Sequence, residues 1–173
     1  MMWHLSHRAD PHAVRVADRH YNRQKPGTPL FVPPGRCLVL TAPGPCLWVT
    51  SWPFAEYVRH AWPGAWICSA FRREGGDRAS VLIQSAVAAT RWAWPDVPER
   101  GMVTFIDRAK VRPTMVRGRA VWGWTYHQAS FRDCGETAGG LLALRLDPAD
   151  MPPADMPIGA GPTLFGRPQS GLP

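Results

Sequence analysis

Lysine is almost missing from this chain: of its 20 basic residues only Lys25 and Lys110 are lysine, and the rest are arginine. Long apolar runs are missing too. None approaches the ~20 residues of a membrane-spanning helix, and the N-terminus has no apolar stretch of the signal-peptide kind. A soluble, cytoplasmic protein with no membrane partner is expected. The four cysteines, Cys37, Cys46, Cys68 and Cys134, are never spaced as C-x-x-C. That argues against zinc or a redox pair and for buried, reduced thiols. There is no G-x-x-x-x-G-K-[ST], which argues against a P-loop nucleotide site. There is no G-x-G-x-x-G, which argues against a dinucleotide fold. No internal repeat is visible.

What the chain does contain is a sizeable apolar fraction, 45% of 173 residues, enough for one domain with a real core. Its formal net charge is +7 and its pI ≈ 9.9. Arginine captures planar carboxylate or phosphate through paired N–H donors. The charge points to a polyanion such as nucleic acid, with an ordinary basic surface as the other reading.

Composition divides the chain into three parts. Residues 1–12 hold three histidines and little periodicity, and read as a flexible N-terminus. Residues 13–147 read as the folded domain. From Asp147 onward 7 of 27 residues are proline, so 148–173 reads as a Pro-rich tail, disordered from about Met151.

Within the domain, apolar spacing predicts a short helix over His12–Gln24, stopped by "KPGTP". "RCLVL" and "CLWVTSWP", joined by "APGP", predict a hairpin of Arg36–Thr41 and Leu47–Trp52. Ala65–Phe71 reads as a buried strand. Asp77 is placed to cap a helix from Arg78 to about Trp94, with Ala79, Leu82, Ile83, Ala86, Val87 and Thr90 inward. Met102–Asp107 is a second buried strand, an arginine-rich loop follows, "AVWGWTYHQASF" reads as a shorter helix, and Leu141–Leu146 as a last strand. Strand–helix–strand over 65–107 implies a parallel pair with a right-handed crossover, and the hairpin makes the sheet mixed. The fold class is α/β or α+β: a mixed central sheet flanked by helices, in three layers.

The turn "FRREGGDRAS" enters the long helix. Gly75 and Gly76 permit backbone shapes denied to other residues. The helix start offers free N–H groups, and Arg73 and Arg78 add charge. Such an entrance can cradle a pyrophosphate, or it can be a glycine turn with its arginines in solvent.

"CSAFRREGGDRASVLIQSAV" resembles the acyl-CoA pyrophosphate loop of the GNAT superfamily of N-acetyltransferases, [QR]-x-x-G-x-[GA]. Arg73 and Gly76 match its first two positions, while Arg78 stands where Gly or Ala is usual. "WTYHQASFRDCGETAGGLLALRL" resembles the superfamily's closing helix and strand: Tyr126, Ala129 and Phe131 match, and Ser130 replaces a glycine. "ADRHYNRQ", with His20 and Tyr21, is similar to an element of the Mom-like branch, phage DNA-modification proteins of GNAT type. The resemblance spans roughly residues 12–146.

The resemblance implies acetyl-CoA, or another acyl-CoA, as cofactor. It puts Cys68, Ser69, Ala70 and Phe71 along the thioester in a split between two parallel strands, and Arg73, Gly75, Gly76 and Arg78 at the pyrophosphate. It gives Tyr126 the role of proton donor to the leaving thiolate, with helix packing as its other reading. Asp107 is either general base or turn cap. His20 and Tyr21 either position substrate or pack helix on sheet; a metal set with Asp107 has no supporting spacing, and no metal is expected. Trp48 and Trp52 share one face of the hairpin, for core packing or base stacking. The implied activity is modification of a nucleobase amine, adenine, on DNA. The alternatives are an acetyltransferase of small-molecule or protein amines, and a non-catalytic DNA-binding module.

Overall fold

The computed structural model describes residues 2–160. Its frame is a seven-stranded mixed sheet with few helices, an α+β architecture. The chain runs β1 (His4–Ser6), α1 (Pro11–Ala17), β2 (Arg36–Ala42), β3 (Cys46–Trp52), β4 (Trp66–Arg73), α2 (Ala79–Ala93), β5 (Met102–Ile106), β6 (Thr114–Val116), β7 (Arg119–Val121), α3 (Trp124–His127), β8 (Arg132–Glu136) and β9 (Leu142–Leu146). The sheet order is β1-β2-β3-β4-β5-β9-β8, and β6 and β7 form a separate two-stranded ribbon. Within the large sheet only β4 and β5 pair in parallel. The crossover between them is α2.

The α2 helix buries Leu82, Ile83, Ala86, Val87 and Thr90 as its spacing predicts, while Ala79, also expected inward, is only half-buried in the first turn. The buried side chains pack on Leu40, Trp48, Trp66, Met102 and Leu144 of the sheet. Full burial of each Leu, Ile or Val is worth about 1.5–3 kcal/mol, so α2 is firmly seated. Inside this layer the indole of Trp48 donates to Thr50 Oγ1 (2.7 Å), which also meets Thr90 Oγ1 at 3.0 Å. Trp48 is core and closed to base stacking, while Trp52 is half-buried, edge-on to Trp66 with the Arg36 guanidinium over its ring. The other sheet face is covered by α1 over Val39, Leu47 and Val49, and by Trp62 over Val103 and Ala143.

Several expectations need correction. The first helix ends at Ala17 rather than running to Gln24. Residues 18–30 turn instead, tied by Arg23, which bonds Asp18 and the carbonyls of Thr28 and Leu30. Residues 1–12 were expected to be flexible, yet Trp3 is buried, its indole donates to Leu82 O, and β1 pairs with β2. The short helix over "AVWGWTYHQASF" is confined to α3, its first part being β7. Asp77 does not cap α2: Arg78 occupies the N-cap and no side chain bonds there. The proline-rich segment packs at least as far as Ala160: Met151 and Ala160 are buried, Arg91 donates to the carbonyls of Met151 and Pro152, and Ile158 N bonds Trp3 O. The remainder of the expected tail lies outside the described residues. Among the described residues no helix is long and apolar enough to cross a membrane.

Candidate active site at the split between the parallel strands

The β4–β5 ladder pairs Trp66 with Met102, Ile67 with Val103 and Cys68 with Thr104, and stops there, although both strands continue. The cause lies on the other side of β4. Its register with β3 passes from Thr50–Cys68 to Val49–Ala70, so Ser69 is an extra residue, a bulge. A bulge bends its strand and increases the local twist. The Ser69 hydroxyl meets Ser51 Oγ at 2.6 Å and helps hold it.

Beyond the last pair, two carbonyls in the gap are met by side chains from the turn after α1. Asn22 Nδ2 donates to Ser69 O (2.8 Å), and the Tyr21 hydroxyl donates to Phe105 O (3.3 Å). His20 stacks on Tyr21, with ring centroids 4.6 Å apart, and its Nδ1 bonds Asn22 Oδ1. Burial lowers the His20 pKa and raises that of Tyr21, so both are neutral near pH 7.

A cavity of about 290 Å³ opens at the split, lined by Cys68, Ser69, Ala70, Phe71, Thr104 and Tyr126 among others. Tyr126 enters it from α3. Gly123, just before that helix, has φ +68, and a Cβ there would sit 2.4 Å from Ile106 Cδ1 and 2.6 Å from Leu144 Cδ1. Only glycine lets α3 come this close. The Tyr126 ring stands edge-on to Phe71 and Phe131, and its hydroxyl lies 3.4 Å from Cys68 Sγ. Burial, then the Cys68 sulfur, pushes the Tyr126 pKa well above its usual value. Burial likewise pushes the Cys68 thiol up to about 12. The pair is neutral: a proton donor facing a protonated sulfur.

The opposite mouth, about 390 Å³, shares Tyr21, Asn22, Cys68, Ser69 and Phe105 with the first and adds Asp107 and Lys110. Asp107 therefore reaches the split from the side away from Tyr126. It also closes a turn: its Oδ1 accepts from Ala109 N (3.0 Å), and Oδ2 lies 3.6 Å from Lys110 Nζ. A third cavity, about 340 Å³, lies under residues 17–33 and shares His20, Asn22, Ser69 and Ala70 with the Tyr126 cavity.

The glycine turn lies apart from both mouths. A Cβ on Gly76, at φ +73, would meet Pro43 O at 2.9 Å, and one on Gly75 would meet Gly44 O at 3.1 Å. The paired glycines let the β4–α2 connection lie backbone-to-backbone on the β2–β3 turn. Arg73 is folded back, its Nε donating to Asp77 O (2.6 Å) and Nη2 to Gly76 O (3.2 Å). Arg78 is exposed. Glu74 is held by Arg19 (2.6 Å) and Arg72 (2.7 Å), which pull its pKa down to about 2, and Arg19 ties the segment just after α1 to this turn. Such a carboxylate is no base near neutral pH.

The structure thus brings together Cys68–Phe71, Tyr126, His20 and Tyr21, with Asp107 behind them and Arg73–Arg78 to one side. Asn22 and Thr104 complete the cleft and were not singled out from the sequence; Asn22 follows the His-Tyr pair directly, whereas Thr104 carries no motif. Among the described residues no three His, Cys, Asp or Glu side chains group as metal ligands. Comparison with family models, curated proteins and solved structures finds no match to this chain.

Proposed function

We propose that this chain is an acyl-CoA-dependent transferase of GNAT type that acylates a nucleobase amine, adenine, on DNA in a Mom-like manner. One observation carries the reading: a single parallel strand pair parts beyond Cys68–Thr104, and a neutral tyrosine hydroxyl faces the gap. An acyl-CoA supplies an activated thioester. What supports its place here is that β4 beyond Cys68 has backbone groups no longer paired to β5; an amide-bearing arm would pair with them by displacing Asn22 from Ser69 O. The Tyr126 hydroxyl already rests against a sulfur, the kind of atom it would protonate when the C–S bond breaks. His20, kept neutral by burial on the wall shared with the third cavity, can accept the proton that the attacking amine gives up. That cavity has room for the acceptor. An adenine amine must leave the duplex to reach it, and the +7 charge favours the phosphates that surround it.

The test is mass spectrometry of nucleosides from duplex DNA incubated with the protein and acetyl-CoA. An acylated deoxyadenosine, absent without acetyl-CoA, is the expected result. Acetyl-CoA consumption with unmodified DNA would move the acceptor to a small-molecule or protein amine. A second reading, a non-catalytic DNA-binding scaffold, is favoured by the glycine turn, which serves packing, and by Tyr21 and Asn22, which occupy the gap's carbonyls. DNA binding with no turnover and no acyl-CoA binding would favour it.

A further inference from the structure

We infer that the β6–β7 ribbon is an arm that grips the backbone of duplex DNA beside the cleft; this rests on the DNA reading above. Residues 108–119 contain Arg108, Lys110, Arg112, Arg117 and Arg119 and no acid. Arg108 pairs with Glu136, and Lys110 with Asp107. Arg112, Arg117 and Arg119 are exposed, and among the described residues they make no ion pair or hydrogen bond.

The ribbon does little for the fold. Its strands pair only with each other, and neither contains a buried residue. Only its base is anchored: Val111 and Trp122 pack on the core, and the Trp122 indole donates to Val111 O (3.0 Å). That makes a protruding arm with a fixed root. At its tip Arg117 and Gly118 have φ 48 and 77, the signature of a tight two-residue hairpin turn. Asn, Asp or Gly favours the first of these positions, and a side chain such as arginine is strained there by about 1–2 kcal/mol. A charge has been placed where the backbone would prefer another residue.

Arg112 and Thr114, at the start of the arm, line the Tyr126 cavity. The cations therefore continue outward from the mouth of the cleft. A two-stranded ribbon has strands about 4.8 Å apart and enters a major groove about 12 Å wide. Unpaired arginines on it can reach phosphates on either side. A grip of this kind would hold the duplex in register while one base turns out toward the cavity. The arm's one large exposed apolar residue is Met115, too little to insert into a membrane.

The experiment is fluorescence anisotropy of a labelled random-sequence duplex across a salt series. It compares the full chain with an Arg117→Asn, Arg119→Gln double variant and with a charge-keeping Arg117→Lys, Arg119→Lys control. Asparagine tolerates the turn's positive φ, so folding should survive; an unchanged melting temperature checks that. Each lost phosphate contact lowers the log–log salt slope by about 0.9, so the double variant should lose about 1.8 and bind at least about tenfold more weakly near ~0.1 M salt. The lysine control should bind like the parent. If the parent binds the duplex and the double variant keeps its affinity and slope, the arm is not the contact and the DNA reading survives. If the parent does not bind the duplex at ~50 mM salt, both fall together. Arm-dependent binding to anionic phosphatidylserine vesicles or polyglutamate in preference to the duplex would reassign the surface and overturn the inference.

Discussion

Tyr126 joins the most independent observations in the cleft. Its ring is fixed by Phe71 and Phe131, its hydroxyl faces Cys68, and its pKa is raised by burial. Tyr126→Phe removes one oxygen and keeps those ring contacts. If the hydroxyl protonates the leaving thiolate, turnover should fall about 10²- to 10⁴-fold, while acyl-CoA affinity barely changes, because the interaction counts mainly in the transition state. With its pKa raised, the donor stays protonated past the usual tyrosine value of about 10, so the parent's rate should show no loss from this group between about pH 8 and 10. Full activity in a well-folded variant would make Tyr126 a packing residue. The sequence marked Tyr126 through its neighbours Ala129 and Phe131, but it could not separate Asp107 from it. They reach different mouths because Asp107 follows β5 two residues after Phe105, whereas Tyr126 comes from α3 and packs on the opposite core cluster, and that long-range placement is not written in either local stretch. Asn22 was visible only as part of the "HYN" triplet, because its contact with Ser69 O is made 47 positions away in the chain.

The elements around the cleft depend on a few positive-φ positions, and these were only half legible. The end of α3 is closed by Ser130 at φ 72, with Ser130 N bonding His127 O (3.1 Å) and Phe131 N bonding Tyr126 O (3.0 Å). A glycine is expected there on physical grounds, since a left-handed residue carries no steric penalty only without a Cβ. Ser130→Gly should therefore raise stability by up to about 1 kcal/mol, or roughly 2–4 °C in melting temperature for a chain of this size. A lower melting temperature would mean that the serine side chain stabilises the turn by more than the strain. The hydrophobic period located α2 and the strands on either side, because burial writes a regular pattern. It missed β1, β6, β7 and β8, which are short and largely exposed and so carry no such pattern. "EGG" by itself fits an anion cradle or a plain turn, and its close packing on Gly44 depends on two distant turns meeting.

Across the whole molecule the two ends of the described chain meet. Trp3 O accepts from Ile158 N, Leu5 N donates to Ile158 O, and Asp155 N donates to Ala88 O on α2. Proline density alone points to disorder from about Met151, because proline cannot build a helix or inner strand. It can still lay an extended segment across a surface, with other residues donating the hydrogen bonds. A chain ending at Asp150 should melt about 5–10 °C below one ending at Ala160, given several kcal/mol of lost burial and hydrogen bonding. Equal melting temperatures would show that the segment adds nothing. That segment braces α2, the crossover between the two strands that part at the split. The proposed transferase requires that this split receive an acyl-CoA. Calorimetric titration of the full chain with acetyl-CoA tests it most directly. Saturable binding at one site per chain is expected, in the micromolar range of about −8 kcal/mol, with an accompanying rise in melting temperature. No heat and no thermal shift at millimolar acetyl-CoA would contradict it.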